Sequence, residues 1–312
     1  MRIEKYNSSY KIVWDEFVSL AKNKHFFFYR DFMEYHSDRF NDFSLMVFDN
    51  DKLIALLPAN IFNNEVFSHE GLTFGGLIIK PTVKQKEVNL IFQSIIVHLN
   101  LLGVKKFIYK KIPYIYHSSP CDEDLYFLFL NKSMLIRRDV SSAIKLSNQI
   151  KYSKGRKWII KKSITNGVLF SESKDIGDLW ERLSNVLMSS HGVKPVHSFH
   201  EISALKDLFP NNIKFYSACL DGEQVAGAVI FITDTVAHTQ YLYNSDRGRE
   251  VGALDGLIDY LVKDIFPQKE YFDFGISNEN KGLFLNDGLI SQKEGFGARA
   301  IVHDFYEVNI ND

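Results

Sequence analysis

The chain has 312 residues and a formal net charge of −1, with 46% hydrophobic and 24% charged residues. This length suits two domains of ordinary size, and the composition is that of a globular protein. A net charge so close to zero argues against a global electrostatic grip on nucleic acid. The two cysteines, Cys121 and Cys219, lie far apart and lack metal-ligand spacing, so we predict neither a disulfide scaffold nor a metal site.

The N-terminal stretch lacks the apolar core of a signal peptide. No run of the sequence approaches the roughly 18 apolar residues that a membrane-spanning helix needs. We therefore expect a cytoplasmic protein without a membrane span. The sequence leaves the oligomeric state open.

The first half of the chain reads as short helices, then strands, then a longer helix and a further strand. Apolar spacing near 3.6 marks the long helix, and turn residues at 49–51 and 63–64 separate the strands. The predicted helices cover 10–22, 29–36 and 83–102, and the predicted strands cover 43–50, 52–62, 65–69 and 104–112.

The second half repeats this order of elements. Its predicted strands cover 212–220, 224–233, 236–244, 270–276 and 301–308, with a helix over 252–266. A shift of 172 residues (221 − 49) places Asp49 on Asp221 and Val66 on His238, and both hairpins then align without a gap. We predict an α+β fold of two tandem halves, 1–140 and 141–312, each a mixed, mostly antiparallel sheet flanked by helices.

A basic segment joins the two predicted halves. Six lysines and arginines fall within residues 151–162. The segment is either an anion contact for phosphates or the solvated face of a first helix, and the sequence does not decide between them.

A glycine-containing segment follows the strand at 236–244 and opens the next helix. Arg247, Gly248, Arg249 and Gly252 stand where backbone N–H groups and a helix dipole could hold phosphate. An ordinary turn with glycine at positive φ is the structural alternative.

With two strands before it and a helix and strand after it, this segment resembles the core of the GNAT acyltransferases. In that superfamily a Q/R-x-x-G-x-G/A loop binds the pyrophosphate of coenzyme A, and Arg249 to Gly252 match its first four positions. Leu254 stands where the loop has a small residue, and Ala253 lies one position early. The resemblance implies acyl-CoA as co-substrate, with contacts from the loop and the preceding strand at Val229, Ile230, Phe231, Arg247, Gly248, Arg249, Val251, Gly252 and Ala253.

Further segments, among them "HGVKPVHS", "AHTQY" and "FDFGIS", resemble the FemAB-like branch of GNAT proteins, which carries two GNAT halves. They are especially similar to nucleotide-sugar N-acyltransferases. That resemblance implies transfer of an acyl group, 3-hydroxybutanoyl in some members, to the amine of a dTDP-3-amino-3,6-dideoxyhexose for surface polysaccharides such as O-antigen or capsule. The alternatives are an aminoacyl transferase of cell-wall precursors and a non-catalytic binding protein of such a pathway.

The candidate catalytic residues are His238, Tyr241 and Glu279. Regular alternation puts His238 and Gln240 on one face of their strand, with Thr239 and Tyr241 on the other. His238 is either the proton acceptor or a hydrogen-bonded structural histidine. The candidate substrate-binding residues are His197, Gln240, Asp273, Asn280, Gln292 and Lys293.

Ser198 and Glu201 form S-x-x-E, which predicts a capping box at a helix start.

Residues 286–300 are rich in glycine, which predicts a loop before the last strand. There Gly295 and Gly297 would let the backbone approach a ligand closely.

Overall fold

The computed structural model describes residues 1–310, and the side chains of all of these except 190 and 191. The chain is α+β, with mostly antiparallel sheets flanked by helices, which confirms the predicted fold class. It divides into two compact units: unit 1 holds Met1–Asp139, Glu279–Phe284 and the segment from Val302 onward, and unit 2 holds Val140–Asn278 and Leu285–Ile301. The predicted division at 140 does not account for the two C-terminal segments that lie in unit 1.

Unit 1 begins with a strand that the sequence did not predict. Its elements are β1 (Arg2–Lys5), α1 (Lys11–Ser19), α2 (Arg30–Met33), β2 (Leu45–Asp49), β3 (Lys52–Leu57), β4 (Asn60–Phe62), β5 (Glu65–Phe67), β6 (Ile78–Ile79), α3 (Gln85–Leu101), β7 (Lys106–Lys110) and α4 (Glu123–Leu130). The predicted strand over 52–62 is two strands, β3 and β4. The predicted strand is interrupted at Pro58, because proline has no backbone N–H to donate to a neighbouring strand.

The core of unit 1 forms around α3. Its fully buried face carries Ile91, Phe92, Ile95 and Leu99, at the spacing that predicted this helix. Strands β1, β2, β3 and β6 form one antiparallel sheet in the order β1-β2-β3-β6, and β5 pairs in parallel with β7 around Val66 and Phe107.

The remaining elements follow α4 along the chain. They are β8 (Met134–Lys145), α5 (Lys154–Thr165), β9 (Leu169–Glu172), α6 (Ile176–His191), α7 (Phe199–Leu208), β10 (Ile213–Leu220), β11 (Glu223–Ile232), β12 (Val236–Asn244), α8 (Asp246–Val251), α9 (Ala253–Tyr260), β13 (Tyr271–Ile276), β14 (Asn278–Glu279), β15 (Phe284–Leu285), α10 (Asp287–Gly295) and β16 (Arg299–Val308). Both β8 and β16 cross the boundary between the units along the chain, β8 running out of unit 1 and β16 into it.

The sheet of unit 2 has the strand order β8-β13-β12-β11-β10-β9. Its pairs are antiparallel except β12 and β13, which run parallel and pair over three residues only, from Val236 with Tyr271 to His238 with Asp273. From Thr239 onward β12 therefore has one edge that β13 does not cover. Such an edge offers backbone N–H and C=O groups to a ligand.

Helices α6 and α9 cover opposite faces of this sheet. Alternate β11 residues such as Ala226 and Ala228 share a core with Leu257 and Ile258 of α9. Between them, a Cβ on Gly227 would meet Tyr243 and Leu179 of α6. The two faces can therefore be told apart residue by residue.

Among residues 1–310, no helix has the length and apolar character needed to cross a bilayer. In the same part of the chain, no group of three or more His, Cys, Asp or Glu side chains is placed to hold a metal ion.

Replacing Gly297 with Ala is expected to destabilise the protein by about 3 kcal/mol. Gly297 has φ +80°, and a Cβ there would lie 2.2 Å from the carbonyl oxygen of Ile150. Gly288, in the first turn of α10, has no such conflict, and Gly288→Ala should be neutral or slightly stabilising. Urea unfolding of both variants checks this, and similar midpoints for the two would contradict it.

Candidate active site

The end of the β12–β13 pairing brings two predicted site residues together. His238 Nδ1 lies 2.8 Å from Asp273 Oδ2. Asp273 is fully buried, and the His238 side chain is 14% exposed. A carboxylate can only accept hydrogen bonds, so Nδ1 carries a proton, and in the neutral imidazole Nε2 is then a proton acceptor.

Asp273 is itself held by two donors. Ser141 Oγ donates to Asp273 Oδ1 at 2.6 Å, and the backbone N–H of Gly275 donates to the same oxygen at 3.2 Å. Asp273 is predicted as a substrate contact, but its burial against His238 makes it the residue that orients the imidazole. Ser141 lies on β8, a strand that the sequence did not predict, so this third member was missed.

Lys293 lies inside the same region, on α10. Its ammonium donates to the carbonyl oxygens of Gly275 and Ile276, both at 2.8 Å, and to Ser277 Oγ at 2.9 Å. These three bonds use all its donors. Lys293 was predicted to contact a sugar or diphosphate, and this is corrected: it is buried and fixes the end of β13, where Gly275 has φ +76°.

Burial lowers the pKa of Lys293 from its ordinary value of 10.5 to about 8, while the Asp273 charge acts in the opposite direction. Between these two values the unfolded chain binds more protons than the folded chain, so the free energy of unfolding should rise with pH. Lys293→Met should show a smaller rise than the wild type, because burial also lowers the pKa of Lys110, to about 7, and Lys110 contributes over the same range. The exposed Lys86→Met should keep the full rise. Urea unfolding at about pH 7 and about pH 10 measures the difference, and an unchanged rise in Lys293→Met would contradict it.

Strand β12 carries a bulge at Gln240. Val229 of β11 faces Tyr241 and Ile230 faces Thr239, so Gln240 has no partner residue on β11. The extra residue moves Tyr241 to the α6 face, where it packs edge-on against Trp180. The predicted alternation placed Tyr241 and His238 on different faces of β12. It is therefore wrong beyond the bulge.

Tyr241 and His197 contact each other. Tyr241 Oη lies 2.7 Å from His197 Nδ1 and also accepts the His197 backbone N–H at 3.3 Å. Burial raises the pKa of Tyr241. Both side chains therefore tie the segment before α7 to β12. That segment ends in the predicted capping box of Ser198 and Glu201, which the structure confirms.

The predicted acyl-CoA contacts on β11 lie on a strand that is paired along both edges. Val229, Ile230 and Phe231 pair with β10 on one side and with β12 on the other. Their backbone groups are therefore used within the sheet. The strand that separates from its neighbour is β12, whose pairing with β13 ends at His238.

The predicted phosphate loop is a short helix, α8, followed by α9. Arg247 pairs with Glu223 at 2.9 Å and with Asp221 at 2.5 Å, and Arg249 pairs with Asp246 and with the carbonyl of Asn244. Both arginines are half-exposed, so these ion pairs contribute little to stability and a ligand phosphate could replace them.

The glycines of this segment serve packing. A Cβ on Gly248 would lie 2.3 Å from the Val225 carbonyl oxygen, and one on Gly252 would lie 2.7 Å from that of Ile159. Val251 and Ala253 flank Gly252, which has φ +75° and separates the two helices. Helix geometry leaves the first N–H groups of α9 without intrahelical acceptors, and groups of this kind can bind phosphate.

The segment before the last strand is helical, which corrects the predicted loop. Asn286 caps α10 by accepting the N–H of Leu289 at 3.0 Å. Gly295 and Gly297 allow close approach of Arg156 and Ile150, where a ligand was expected. Gln292 is partly exposed on α10. Glu279 and Asn280 lie in unit 1, and Asn280 has φ +50°.

No known family model and no curated protein matches the sequence. Several solved structures, by contrast, are similar to this chain. FemX superposes with a TM-score of 0.68 at 8% identity, covering 99% of this chain and 98% of that one. L-PGS from Bacillus licheniformis superposes at 0.58 with 14% identity, covering 83% and 82%. A tandem GNAT protein from the clavulanic acid biosynthesis pathway superposes at 0.52 with 9% identity, covering 100% and 99%.

These similarities define the class of fold. The chain has a tandem GNAT fold, as the sequence resemblance predicted. In this chain the parallel β12–β13 pairing ends after three residues, so the two strands separate there. At such low identity the shared property is the fold, and function must be argued from the site.

Proposed function

We propose that the protein is an N-acyltransferase that moves an acyl group from acyl-CoA to a primary amine. The observation that carries the proposal is the pair of His238 and Asp273 at the point where β12 and β13 stop pairing. A base beside an opening between strands can deprotonate an amine while the donor lies along the uncovered edge of β12.

In the proposed reaction the amine nitrogen attacks the thioester carbonyl carbon and forms a tetrahedral intermediate. His238 Nε2 takes the proton that the nitrogen loses, and Asp273 stabilises the resulting imidazolium. An N–H of the uncovered β12 edge, near the bulge at Gln240, stabilises the oxyanion. The carbon–sulfur bond then breaks, and the CoA thiolate leaves.

The proposed acceptor is the amine of a dTDP-linked 3-amino-3,6-dideoxyhexose, in surface polysaccharide biosynthesis in the cytoplasm. The sequence resemblance supports this choice. A sugar amine has a pKa well below that of lysine, so one histidine base suffices. Gln240 and Gln292 are partly exposed polar residues of unit 2 and are the proposed sugar contacts.

Aminoacyl transfer from aminoacyl-tRNA is the second candidate. The observation that favours it is that Arg247 and Arg249, the predicted pyrophosphate contacts, are paired with carboxylates of their own unit. The similarity to FemX over the whole of both chains fits this donor equally well.

Donor and acceptor can be tested separately. Thiol release is measured with the purified protein, acetyl-CoA or 3-hydroxybutanoyl-CoA, and a dTDP-amino sugar. Amine-dependent release supports the proposal. Product from aminoacyl-tRNA but not from acyl-CoA would assign the second candidate, and CoA binding without release to any amine would overturn acyl-CoA transfer.

A further inference from the structure

A cavity of about 660 Å³ lies beside α5 in unit 2. None of its lining residues belongs to the candidate active site, and all of them are distant from His238 and Asp273 along the chain or lie on other elements. Its apolar lining residues include Ile150, Ile160 and Ile164. Four lysines stand around it: Lys151, Lys157, Lys161 and Lys263. The acidic lining residue Asp259 is paired with Lys263 at 2.6 Å, so the rim keeps a net positive charge.

Large apolar side chains are exposed on α5 and at the start of β9. Trp158 is 65% exposed, Ile164 63% and Leu169 72%. Trp158 lies one helical turn from Lys154 and from Lys162, whose ammonium stands 5.5 Å from the indole. Exposed apolar residues in such a cluster mark an interaction surface.

We propose that α5 and the adjoining cavity form a docking surface for a bilayer that contains anionic lipids. The exposed side of α5 carries lysines together with Trp158 and Ile164, so it offers both charge attraction and apolar contact to an anionic membrane surface. The lysines would contact lipid phosphates, Trp158 would lie at headgroup depth, and the apolar lining of the cavity would receive part of one acyl chain.

The charge distribution favours a membrane over a nucleic acid. The chain as a whole carries a net charge of −1, so this basic surface is local. Its lysines surround apolar side chains and an apolar cavity, which a phosphodiester backbone would leave exposed to water. A lipid surface satisfies both the charged and the apolar parts.

Trp158 provides a direct readout. The other two tryptophans, Trp14 and Trp180, are buried, so a change in solvent exposure at the surface is reported by Trp158. We expect the protein to co-sediment with phosphatidylcholine vesicles that contain phosphatidylglycerol, with a blue shift of tryptophan emission and quenching by brominated acyl chains. Phosphatidylcholine vesicles alone should bind weakly, and salt should weaken the binding.

Lys157→Glu with Lys161→Glu should weaken partitioning at least about 25-fold, because each surface lysine contributes severalfold near an anionic membrane. Lys86→Glu with Lys194→Glu makes the same charge change at exposed positions elsewhere and should bind like the wild type. Trp158→Phe should abolish the blue shift while keeping most of the binding. Equal loss in both double variants, no partitioning into phosphatidylglycerol vesicles, or tRNA binding in place of vesicle binding would overturn the proposal.

Discussion

Replacing His238 with Ala is expected to lower kcat by about 10²–10⁴-fold, the range for loss of a general base. His238 lies 2.8 Å from Asp273 and keeps one ring nitrogen as a proton acceptor. The KM for acyl-CoA should change little, because the proposed position of the donor is along the edge of β12. Steady-state kinetics of amide formation measures both constants.

An exposed histidine of the same unit provides the control. His200 lies on α7, and His200→Ala should keep wild-type kcat. Thermal unfolding of both variants separates loss of catalysis from loss of folding. A decrease in kcat of less than about threefold in His238→Ala would return this residue to a structural role.

Asp273→Asn is expected to reduce kcat by about 10² or more, although the two side chains have the same shape. Ser141 and the Gly275 N–H both donate to Oδ1, so the asparagine carbonyl must occupy that position. Its amide then donates to His238 Nδ1, which moves the imidazole proton to Nε2. The histidine keeps its place but can no longer accept a proton.

This variant has a second readout that catalysis does not determine. The Asp273 charge raises the pKa of Lys293, so in Asp273→Asn the pKa of Lys293 should fall below about 8. The rise of unfolding free energy with pH should then begin at a lower pH. Ser141→Ala leaves the carboxylate in place and should cost about tenfold or less in kcat. Wild-type kcat in Asp273→Asn would contradict the orienting role.

Much of the fold could be predicted because its signals are local. Asp221 and Gly222 both have positive φ, at 52° and 82°, as their sequence predicts for a tight hairpin. The long helix α3 follows from its apolar spacing. Strand β8 was missed because charged residues interrupt its first half, which is mostly exposed. Helix α10 was missed because its glycines suggested a loop, and it depends on the Asn286 cap.

The sequence predicted residues of the candidate site but not how these residues are arranged. His238 and Asp273 were both candidates, but in unrelated roles. Their contact depends on the parallel register of β12 and β13, which α8 and α9 separate along the chain. The bulge at Gln240, which decides the face of Tyr241, is likewise set by pairing with β11. Neither feature has a periodic signal in the sequence.

The parallel pair in unit 1 bears on stoichiometry. Val66 faces Phe107 there, in the same relation as His238 and Asp273 in unit 2, and the shift of 172 residues (238 − 66) aligns Val66 with His238. Two hydrocarbon side chains cannot relay a proton. At this position unit 1 therefore has no counterpart of the His238 and Asp273 pair, and the proposed reaction would take place in unit 2 alone. The protein loaded with acyl-CoA and freed of excess donor should accordingly yield one equivalent of product per chain on mixing with acceptor, where two equally competent halves would yield two.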